Sequence, residues 1–338
     1  MIKARSVYMR YIKIFSLLVA LVLICGAFVS CGQDNKGDEQ TTSEVYYTVR
    51  FATVGGTPID DVKVKEGGLV PVPTIPEKAG YVFDGWRTSE GKWFFGVDKV
   101  KSNVTLNAVW VAEKNVFEYE VNDERATITK YIGGIRELII PQTLGGFPVV
   151  AIGDKAFYET SLGSTERIVI GEHIKTIGNA AFYNSVGIEI DVEARPESIG
   201  EQAFYGCTGL STITLGKGVS AVPFEAFSGC TSLESVVLSD TVEAIAENAF
   251  ELCSALKTVT AHSSLKKVED SAFESCTALV AVYYYGTDTE WDSTEIATGN
   301  NGNETLINAR FYRYSESKPE DNDGKYWHFD DNGKVRIW

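Results

Sequence analysis

Short segments that alternate apolar and polar residues recur along the second half of the chain, as in LSTITL (210–215) and LESVVL (233–238). This alternation is the period of a half-buried strand. An Ala-Phe dipeptide recurs with these segments, and its Phe residues are spaced by 25, 22, 23, 23 and 23 positions: Phe157, Phe182, Phe204, Phe227, Phe250 and Phe273. Such a period indicates an array of small repeats, which bury their apolar sides only by stacking on one another.

Other positions keep the same period. An aliphatic residue stands five positions before each Phe: Ile152, Ile177, Ile199, Val222, Ile245 and Val268. In the last four repeats a cysteine follows the Phe by three positions, and a leucine follows the cysteine by three: Cys207 and Leu210, Cys230 and Leu233, Cys253 and Leu256, Cys276 and Leu279. Each repeat is therefore predicted to contain a strand, a turn, a second short extended segment and a tight turn that holds the Phe.

The cysteines should form a ladder, because stacked strands lie about 4.8 Å apart and bring equivalent side chains together. Small, easily buried residues suit a narrow interior position. Disulfides are the alternative, since the chain has an even number of cysteines. Ladder neighbours have parallel Cα–Cβ bonds, however, whereas a disulfide needs its Cβ atoms turned towards each other. We expect free, buried thiols, and no metal, because no CxxC pair or nearby His supplies a tetrahedral set.

Both ends of the array should need a cap. Residues 113–148 are predicted to form the N-terminal cap, with a hairpin around Asn122-Asp123. Residues 286–338 are predicted to form the C-terminal cap, in which Asn332-Gly333 signals a second hairpin. Aromatic residues of this segment are expected to pack over the last repeat, with a sugar-stacking platform as the alternative: Trp291, Phe311, Tyr312, Tyr314, Trp327, Phe329 and Trp338.

A different unit precedes the repeats. Residues 45–112 read as short strands separated by Gly and Pro, with little helix signal. The segments GYVFDGW (80–86) and VTLNAVW (104–110) stand out in it, and Trp86 and Trp110 are predicted to be core residues of this small domain.

The first thirty residues carry an export signal. Four basic residues precede the apolar run IFSLLVALVLICGAFV, which ends in SCG, so residues 1–30 have the form of a secretory signal. The small Ser30 followed by Cys31 resembles the lipobox of bacterial lipoproteins, which implies a diacylated Cys31 at the mature N-terminus. A transmembrane anchor is the competing interpretation. The polar residues 31–44 are predicted to be a flexible tether, and in either case the folded part lies outside the cytoplasmic membrane.

Charge narrows the choice of partners. The chain has a net charge of −15, and loss of residues 1–30 would leave 27 Lys and Arg against 46 Asp and Glu, a net charge of −19. This balance argues against nucleic acid and against polybasic attachment to anionic lipid.

The sequence offers little for catalysis. The three histidines are expected to be far apart and solvated, with His173 and His262 in turns between repeats and His328 in the C-terminal hairpin. No GxSxG elbow, HExxH helix or phosphate-binding loop is present. Acidic residues are scattered over turns rather than paired, as at Asp240 and Glu243. We therefore predict no catalytic residue, no cofactor and no metal.

The repeat pattern I-x-x-I-G-x-x-A-F-x-x-C-x-x-L resembles the BspA-type leucine-rich repeat of bacterial surface proteins over residues 147–285, with SIGEQAFYGCTGLSTITL (198–215) as the closest copy. The first two copies lack the cysteine, and the second is short. The segments GYVFDGW and VTLNAVW are similar to the Listeria/Bacteroides repeat, also called the internalin B-type repeat. These resemblances imply a mainly β chain: a small β-grasp-like module at 45–112, then a capped leucine-rich-repeat solenoid whose repeats span 149–285.

The resemblance to BspA-type proteins also implies adhesion. We expect a lipid-anchored, monomeric cell-surface protein that binds an extracellular protein or a host-matrix partner. A glycan-binding lipoprotein and a structural spacer of the envelope are the alternatives. If a protein ligand exists, strand residues that vary between repeats are the predicted contacts, because Ile213, Val236 and Val259 should point inward and their neighbours outward. The predicted ligand-binding residues are Ser211, Thr212, Thr214, Glu234, Ser235, Lys257 and Thr258.

Overall fold

The computed structural model describes residues 44–158, 165–298, 302–320, 323–330 and 335–338. These residues belong to two compact units, one of Met1–Glu77 and Gly85–Val109, the other of Lys78–Asp84 and Trp110–Trp338. The predicted signal, Cys31 and nearly all of the predicted tether lie outside the described residues. Within the described part of the chain, no helix has the length and apolar character needed to span a membrane.

A mixed sheet forms the N-terminal module. Its strands are β1 (Tyr46–Ala52), β2 (Val62–Lys65), β3 (Tyr81–Thr88), β4 (Gly91–Lys92) and β5 (Val104–Ala112). They lie in the order β2-β1-β5-β3-β4, with β1 parallel to β5 and antiparallel to β2. Trp86 is buried and meets Phe51 edge to face at 5.2 Å, which confirms it as a core residue. Trp110 is only half-buried, so the prediction of a core position was wrong for it.

The strands of the first part of the array follow a 3₁₀ turn at Glu113–Asn115. They are β6 (Phe117–Asn122), β7 (Arg125–Tyr131), β8 (Glu137–Ile139), β9 (Thr143–Leu144), β10 (Phe147–Ile152), β11 (Arg167–Ile170), β12 (Thr176–Ile177), β13 (Glu189–Val192) and β14 (Ser198–Ile199). They form two sheets, β14-β12-β10-β7-β6 and β13-β11-β8, with the short β9 paired to β10.

The second part of the array continues the same plan. Its strands are β15 (Thr212–Thr214), β16 (Ala221–Val222), β17 (Ser235–Val237), β18 (Ala244–Ile245), β19 (Thr258–His262), β20 (Lys267–Val268), β21 (Ala281–Tyr285), β22 (Glu295–Ile296), β23 (Arg310–Tyr314), β24 (Tyr326–Phe329) and β25 (Val335–Ile337). Two short helices are α1 (Asp288–Asp292) and α2 (Glu304–Ile307). The sheets are β15-β17-β19-β21-β23-β24-β25 and β16-β18-β20-β22.

Each repeat thus gives one strand to each of two parallel sheets, as the sequence predicted. Equivalent residues are in register between repeats, so that Thr212, Ser235 and Thr258 lie opposite one another. The inward residues of both sheets join one apolar core. At Gly200 the stacking is too close for a side chain: a Cβ there would collide with the backbone of Asn179 in the preceding repeat.

A ladder of phenyl rings runs along this core. All six repeat Phe side chains are fully buried, and successive rings stack with centroids 4.7 to 5.6 Å apart. The backbone holds the same register, because the N–H of each Phe donates to the carbonyl of the Ala one repeat further on, as in Phe204 to Ala226 at 2.8 Å. The Phe residues therefore set both the packing and the spacing of the repeats.

The cysteines form the predicted ladder of free, buried thiols. Each Sγ donates to the carbonyl oxygen of the Phe in the preceding repeat at 3.0 to 3.2 Å, as Cys230 does to Phe204. Burial raises the pKa of Cys207, Cys230 and Cys253 well above that of an exposed thiol. The thiols act as small, satisfied core groups.

The N-terminal cap contains the predicted hairpin. Strands β6 and β7 pair antiparallel up to Asn122 and Arg125. Asp123 and Glu124 between them have φ values of 48° and 59°, as a type I′ turn requires at both central positions. Tyr131 then occupies the place of a repeat Phe: its ring stacks on Phe157 at 5.1 Å, and its N–H donates to the Ala156 carbonyl. The ladder therefore begins one step before the first repeat.

The C-terminal cap begins as one further turn of the array, in which β22 and β23 each extend a sheet. The short helix α1 was not predicted from the sequence; it is held by a capping box between Thr287 and Glu290. Strands β24 and β25 form the predicted hairpin, whose turn, Asn332-Gly333, lies outside the described residues. Trp327 is fully buried, in agreement with packing over the last repeat.

Two polar side chains end the ladder. Asn303 is fully buried, and its Oδ1 accepts the Phe273 N–H at 3.0 Å. Its Nδ2 donates to the carbonyls of Glu269 and Ala297 at 2.9 and 2.8 Å. The Thr305 hydroxyl donates to the Phe273 carbonyl at 2.9 Å. Asn303 and Thr305 thus supply the contacts that an Ala carbonyl and a Cys thiol supply inside the array.

Candidate functional site: the strand face

The outward side chains of β15, β17, β19, β21 and β23 form a surface that we call the strand face. Alternation along each strand separates inside from outside. Ile213, Val236 and Val259 point into the core with at most 2% of their surface exposed, as predicted. Their neighbours point outward in columns that run across the strands.

The predicted ligand-binding residues lie together on the half of this face nearer the middle of the array. Thr212, Ser235 and Thr258 form one column and are half-buried. Thr214 begins the next column, and Ser211, Glu234 and Lys257 lie just before the three strands. Glu234 and Lys257 form an ion pair at 3.0 Å, but both are exposed, so the pair adds little stability. Their role in binding stays a prediction.

The other half of the strand face is aromatic. Of its rings, the sequence indicated only Tyr312 and Tyr314, as part of the C-terminal cap, and not His262, Tyr283 or Tyr285. The column that holds Thr214, Val237 and Thr260 continues as Tyr283 and Tyr312, and the next column holds His262, Tyr285 and Tyr314. We call the five rings the aromatic cluster: His262, Tyr283, Tyr285, Tyr312 and Tyr314. Alignment of LVAVYYY in the sixth repeat with LKTVTAH in the fifth would have shown that these positions point outward.

Stacking fixes the aromatic cluster. The ring of Tyr285 lies 4.4 Å from His262 and 4.6 Å from Tyr314, and Tyr283 lies 5.5 Å from Tyr312. Trp327, fully buried, contacts three of the tyrosines at 4.8 to 5.4 Å. Because stacked rings cover one another's faces, the cluster offers mainly ring edges and hydroxyl groups. Burial raises the pKa of Tyr283 and Tyr285, so these hydroxyls remain protonated donors.

The histidines differ from expectation. His262 ends strand β19 rather than lying in a turn, and it is half-buried in the aromatic cluster. Burial lowers its pKa below the ordinary value, so the ring is neutral at pH 7. His173 does lie in a turn, but its Nε2 is 3.1 Å from the Pro141 carbonyl oxygen. His328 stacks on Trp338 at 3.7 Å. The prediction that the histidines are solvated was wrong.

A groove lies beside the strand face, where β15, β17, β19 and β21 end. We call it the strand-end groove; its volume is about 790 Å³. Lys175 pairs with Glu197 at 3.3 Å, and Lys217 pairs with Asp240 at 2.9 Å. The Lys217 ammonium holds the pKa of Asp240 below its usual range. The strand-end groove is lined by Lys175, Arg195, Glu197, Thr214, Leu215, Gly216, Lys217, Gly218, Val237, Leu238, Ser239, Asp240, His262 and Tyr285.

Among the described residues, neither surface groups its side chains as a metal centre does. Of the residues that the structure describes, no three or more His, Cys, Asp or Glu side chains are grouped so as to hold a metal ion. What both surfaces offer is a rigid set of hydroxyls, ring edges and charges, which is the chemistry of recognition.

Parallel strands in register, a buried Phe ladder and capped ends define a leucine-rich-repeat solenoid. Six copies of the BspA type leucine rich repeat region match residues 150–280. Residues 47–109 match the Listeria-Bacteroides repeat domain. The repeats are thus similar to those of BspA-type leucine-rich-repeat proteins, which are surface proteins of bacteria.

Similar proteins come from several bacteria. Two relatives in Evansella cellulosilytica, named as a membrane protein and a Gly-rich membrane protein, are 31% and 33% identical over 134 and 79 residues. These matches cover 36% and 22% of this chain but only 20% and 9% of the relatives, so the chain spans a small part of their length.

Solved structures of leucine-rich-repeat proteins are similar to part of this chain. The leucine-rich repeat protein of T. pallidum is 24% identical, with 60% of this chain and 97% of that chain covered and a TM-score of 0.46. A leucine rich cell surface protein of Faecalibacterium prausnitzii is 17% identical, with 54% and 97% covered and a TM-score of 0.26. The pneumococcal vaccine antigen PcpA is 19% identical, with 56% and 50% covered and a TM-score of 0.38.

Proposed function

We propose that this chain is a lipid-anchored, adhesin-like protein that binds an extracellular protein partner through its strand face. The aromatic cluster is the observation that carries the proposal. It places four tyrosines on the outward face of a rigid parallel sheet, where the same columns of earlier repeats hold mainly small residues.

Tyrosine suits a protein interface for two reasons. It supplies a large apolar ring and a hydrogen-bonding hydroxyl, and it loses little conformational entropy on binding. In the aromatic cluster that cost is lower still, because stacking and the buried Trp327 already hold the rings in place. Hot spots of this kind are typically surrounded by weaker polar contacts. The predicted residues from Ser211 to Thr258 would form such a polar rim on one side.

The experiment is saturable binding of the full chain, as its host processes it, to extracellular-matrix proteins, mucins and bacterial cells. Tyr285→Ser with Tyr312→Ser should weaken a saturable interaction about tenfold or more. Tyr183→Ser is the matched control, because Tyr183 stacks in an equivalent half-exposed tyrosine ladder, between Tyr158 and Tyr205, on the turn side of the same array. Equal losses in both variants, or no saturable binding to any partner, would overturn the proposal.

The sugar-stacking alternative concerns the aromatic residues of the C-terminal segment. Trp327 is fully buried and offers no open face to a sugar. Trp291 is half-buried and packs against Tyr284 and Phe311 at 5.3 and 5.1 Å, which leaves less of its ring for stacking. The structural-spacer alternative predicts that the binding panel gives no saturable signal at all.

Lipid attachment at Cys31 has its own test. A lipoprotein should incorporate a labelled fatty acid in the wild type and none in Cys31→Ala. A protein held by a transmembrane span would incorporate no label in either form. The second result would remove the lipid anchor from the proposal without affecting the strand face.

A further inference from the structure

We infer that the strand-end groove binds a sugar residue that carries a carboxylate. The groove lies where four successive strands end, and it extends about 14 Å between β15 and β21 at ~4.8 Å per strand. Its volume of about 790 Å³ lies in the ordinary range of ligand sites. This proposal goes beyond the strand-face function, since it concerns a different ligand class in a neighbouring groove that shares His262 and Tyr285 with the aromatic cluster.

Charge indicates an anionic group. The groove holds three cations, Lys175, Arg195 and Lys217, and two carboxylates. Each lysine pairs with one of the carboxylates, whereas Arg195 is exposed and forms no ion pair with any residue that the structure describes. An excess cation is unusual on a chain of net charge −15. A guanidinium left in this way suits a carboxylate, which it binds through two parallel hydrogen bonds.

The ring of His262 supplies an apolar face. One side of the ring is covered by Tyr285 of β21, with an angle of 5° between the planes. The opposite side is directed towards β17, and the residues at the end of that strand line the groove. Because burial keeps His262 neutral at pH 7, its face behaves as an aromatic surface against which the C–H groups of a sugar ring pack.

The remaining polar groups fit hydroxyls. The carboxylates of Glu197 and Asp240 accept hydrogen bonds, and Lys217 donates them. A sugar acid suits both the carboxylates and the unpaired cation of the groove, because its hydroxyls would face the carboxylates while its own carboxylate would face Arg195. An acidic peptide lacks those hydroxyls, and its negative side chains would be repelled by Glu197 and Asp240. The observations therefore favour the sugar acid over the peptide.

Titration calorimetry of the full chain tests this inference. The probes are methyl glucuronide and sialyllactose, each compared with its neutral amide, and a tetraglutamate peptide. We expect at least one of the two acids to bind, with affinity falling about tenfold or more when its carboxylate is amidated and also when Arg195 is changed to Gln. Arg125→Gln is the matched control, since Arg125 is exposed on the N-terminal hairpin, and it should leave binding unchanged.

Each outcome decides the question. Binding of one acid alone would identify the source as uronic or sialic. No binding of either acid, equal binding of acid and amide, equal loss in Arg195→Gln and Arg125→Gln, or tighter binding of the peptide would each overturn the inference. His262→Phe keeps an aromatic face and should retain binding, whereas His262→Ala should lose it. The strand-face proposal is judged by protein partners and this one by small sugar acids, so the two can fail separately.

Discussion

Left-handed backbone recurs two residues before the Phe in all six repeats, and also two residues after it in the five repeats where that residue is described. The second position holds Asn184, Gly206, Gly229, Leu252 and Ser275, with φ between 55° and 73°. Asn and Gly adopt this region easily, but a leucine does not. Leu252 is 49% exposed, so it gains little packing energy in return. The fifth repeat is therefore locally strained.

Leu252→Gly should stabilise the protein by about 0.5–1 kcal/mol, because relief of the strained φ exceeds the entropy that glycine adds to the unfolded chain. Urea unfolding of the full chain would measure the change. Ser254→Gly, a change two residues away where no positive φ occurs, should instead destabilise or have no effect. If the two variants respond alike, backbone strain at Leu252 is not the cause.

His262 should make stability depend on pH. Its pKa is lowered in the folded protein by burial, so below pH ~6.5 the unfolded chain takes up the proton more readily. The contribution of neutral His262 to the free energy of unfolding is fully present above that pH and is lost as the pH falls. His262→Phe keeps the ring stack and removes the titration, so the wild type should lose more stability than the variant between pH 8 and pH 5. Parallel stability curves for the two proteins would contradict this explanation.

At the scale of elements, the ends of the array differ from the repeats in where their hydrogen-bond partners come from. Inside it each repeat supplies the hydrogen-bond partners of its neighbour, and the last repeat would be left with an unpaired Phe273 N–H. Asn303 and Thr305 supply those partners from side chains. Because a buried group without a partner is costly, this pair decides whether the final turn of the ladder stays closed.

Asn303→Ala should destabilise the C-terminal end of the array by about 2–4 kcal/mol, since it leaves the buried Phe273 N–H and the Ala297 carbonyl without these partners and removes one of two hydrogen bonds to the Glu269 carbonyl. Hydrogen exchange is the sharpest measurement: protection of the Phe273 amide should fall strongly and that of Phe204 little. Asn308→Ala changes an exposed asparagine just beyond α2 and serves as the control. Equal loss at Phe273 and Phe204 would mean that the array unfolds as one unit.

Periodicity explains why the repeats could be predicted from the sequence, whereas the Asn303 and Thr305 contacts that end the ladder could not. The Phe, Cys and aliphatic columns are fixed by packing against identical neighbours, so they recur in the sequence and define the fold. Asn303 occurs once and works through backbone partners at Glu269, Phe273 and Ala297, none of which a pattern of hydrophobic residues shows. His262 was assigned to a turn because β19 is two residues longer than β15 and β17.

At the scale of the molecule, the two candidate surfaces differ in how visible they are from sequence. The strand face follows from strand alternation, and only its aromatic half was missed. The strand-end groove is lined by residues from Lys175 to Tyr285, which come together because successive repeats stack in register. The net charge does not indicate the strand-end groove either, since a net charge of −15 does not predict a local excess of cations.

The Asn303 and Thr305 contacts have a consequence for how such proteins change length. Both side chains bind the main chain of the preceding repeat, and the Phe273 N–H and carbonyl that they meet are presented in the same way by every Phe turn. A repeat duplicated within the gene would therefore meet the same ending without compensating mutations. The structure therefore permits whole repeats to be gained or lost by recombination before the C-terminal cap, while Asn303 and Thr305 are inherited unchanged.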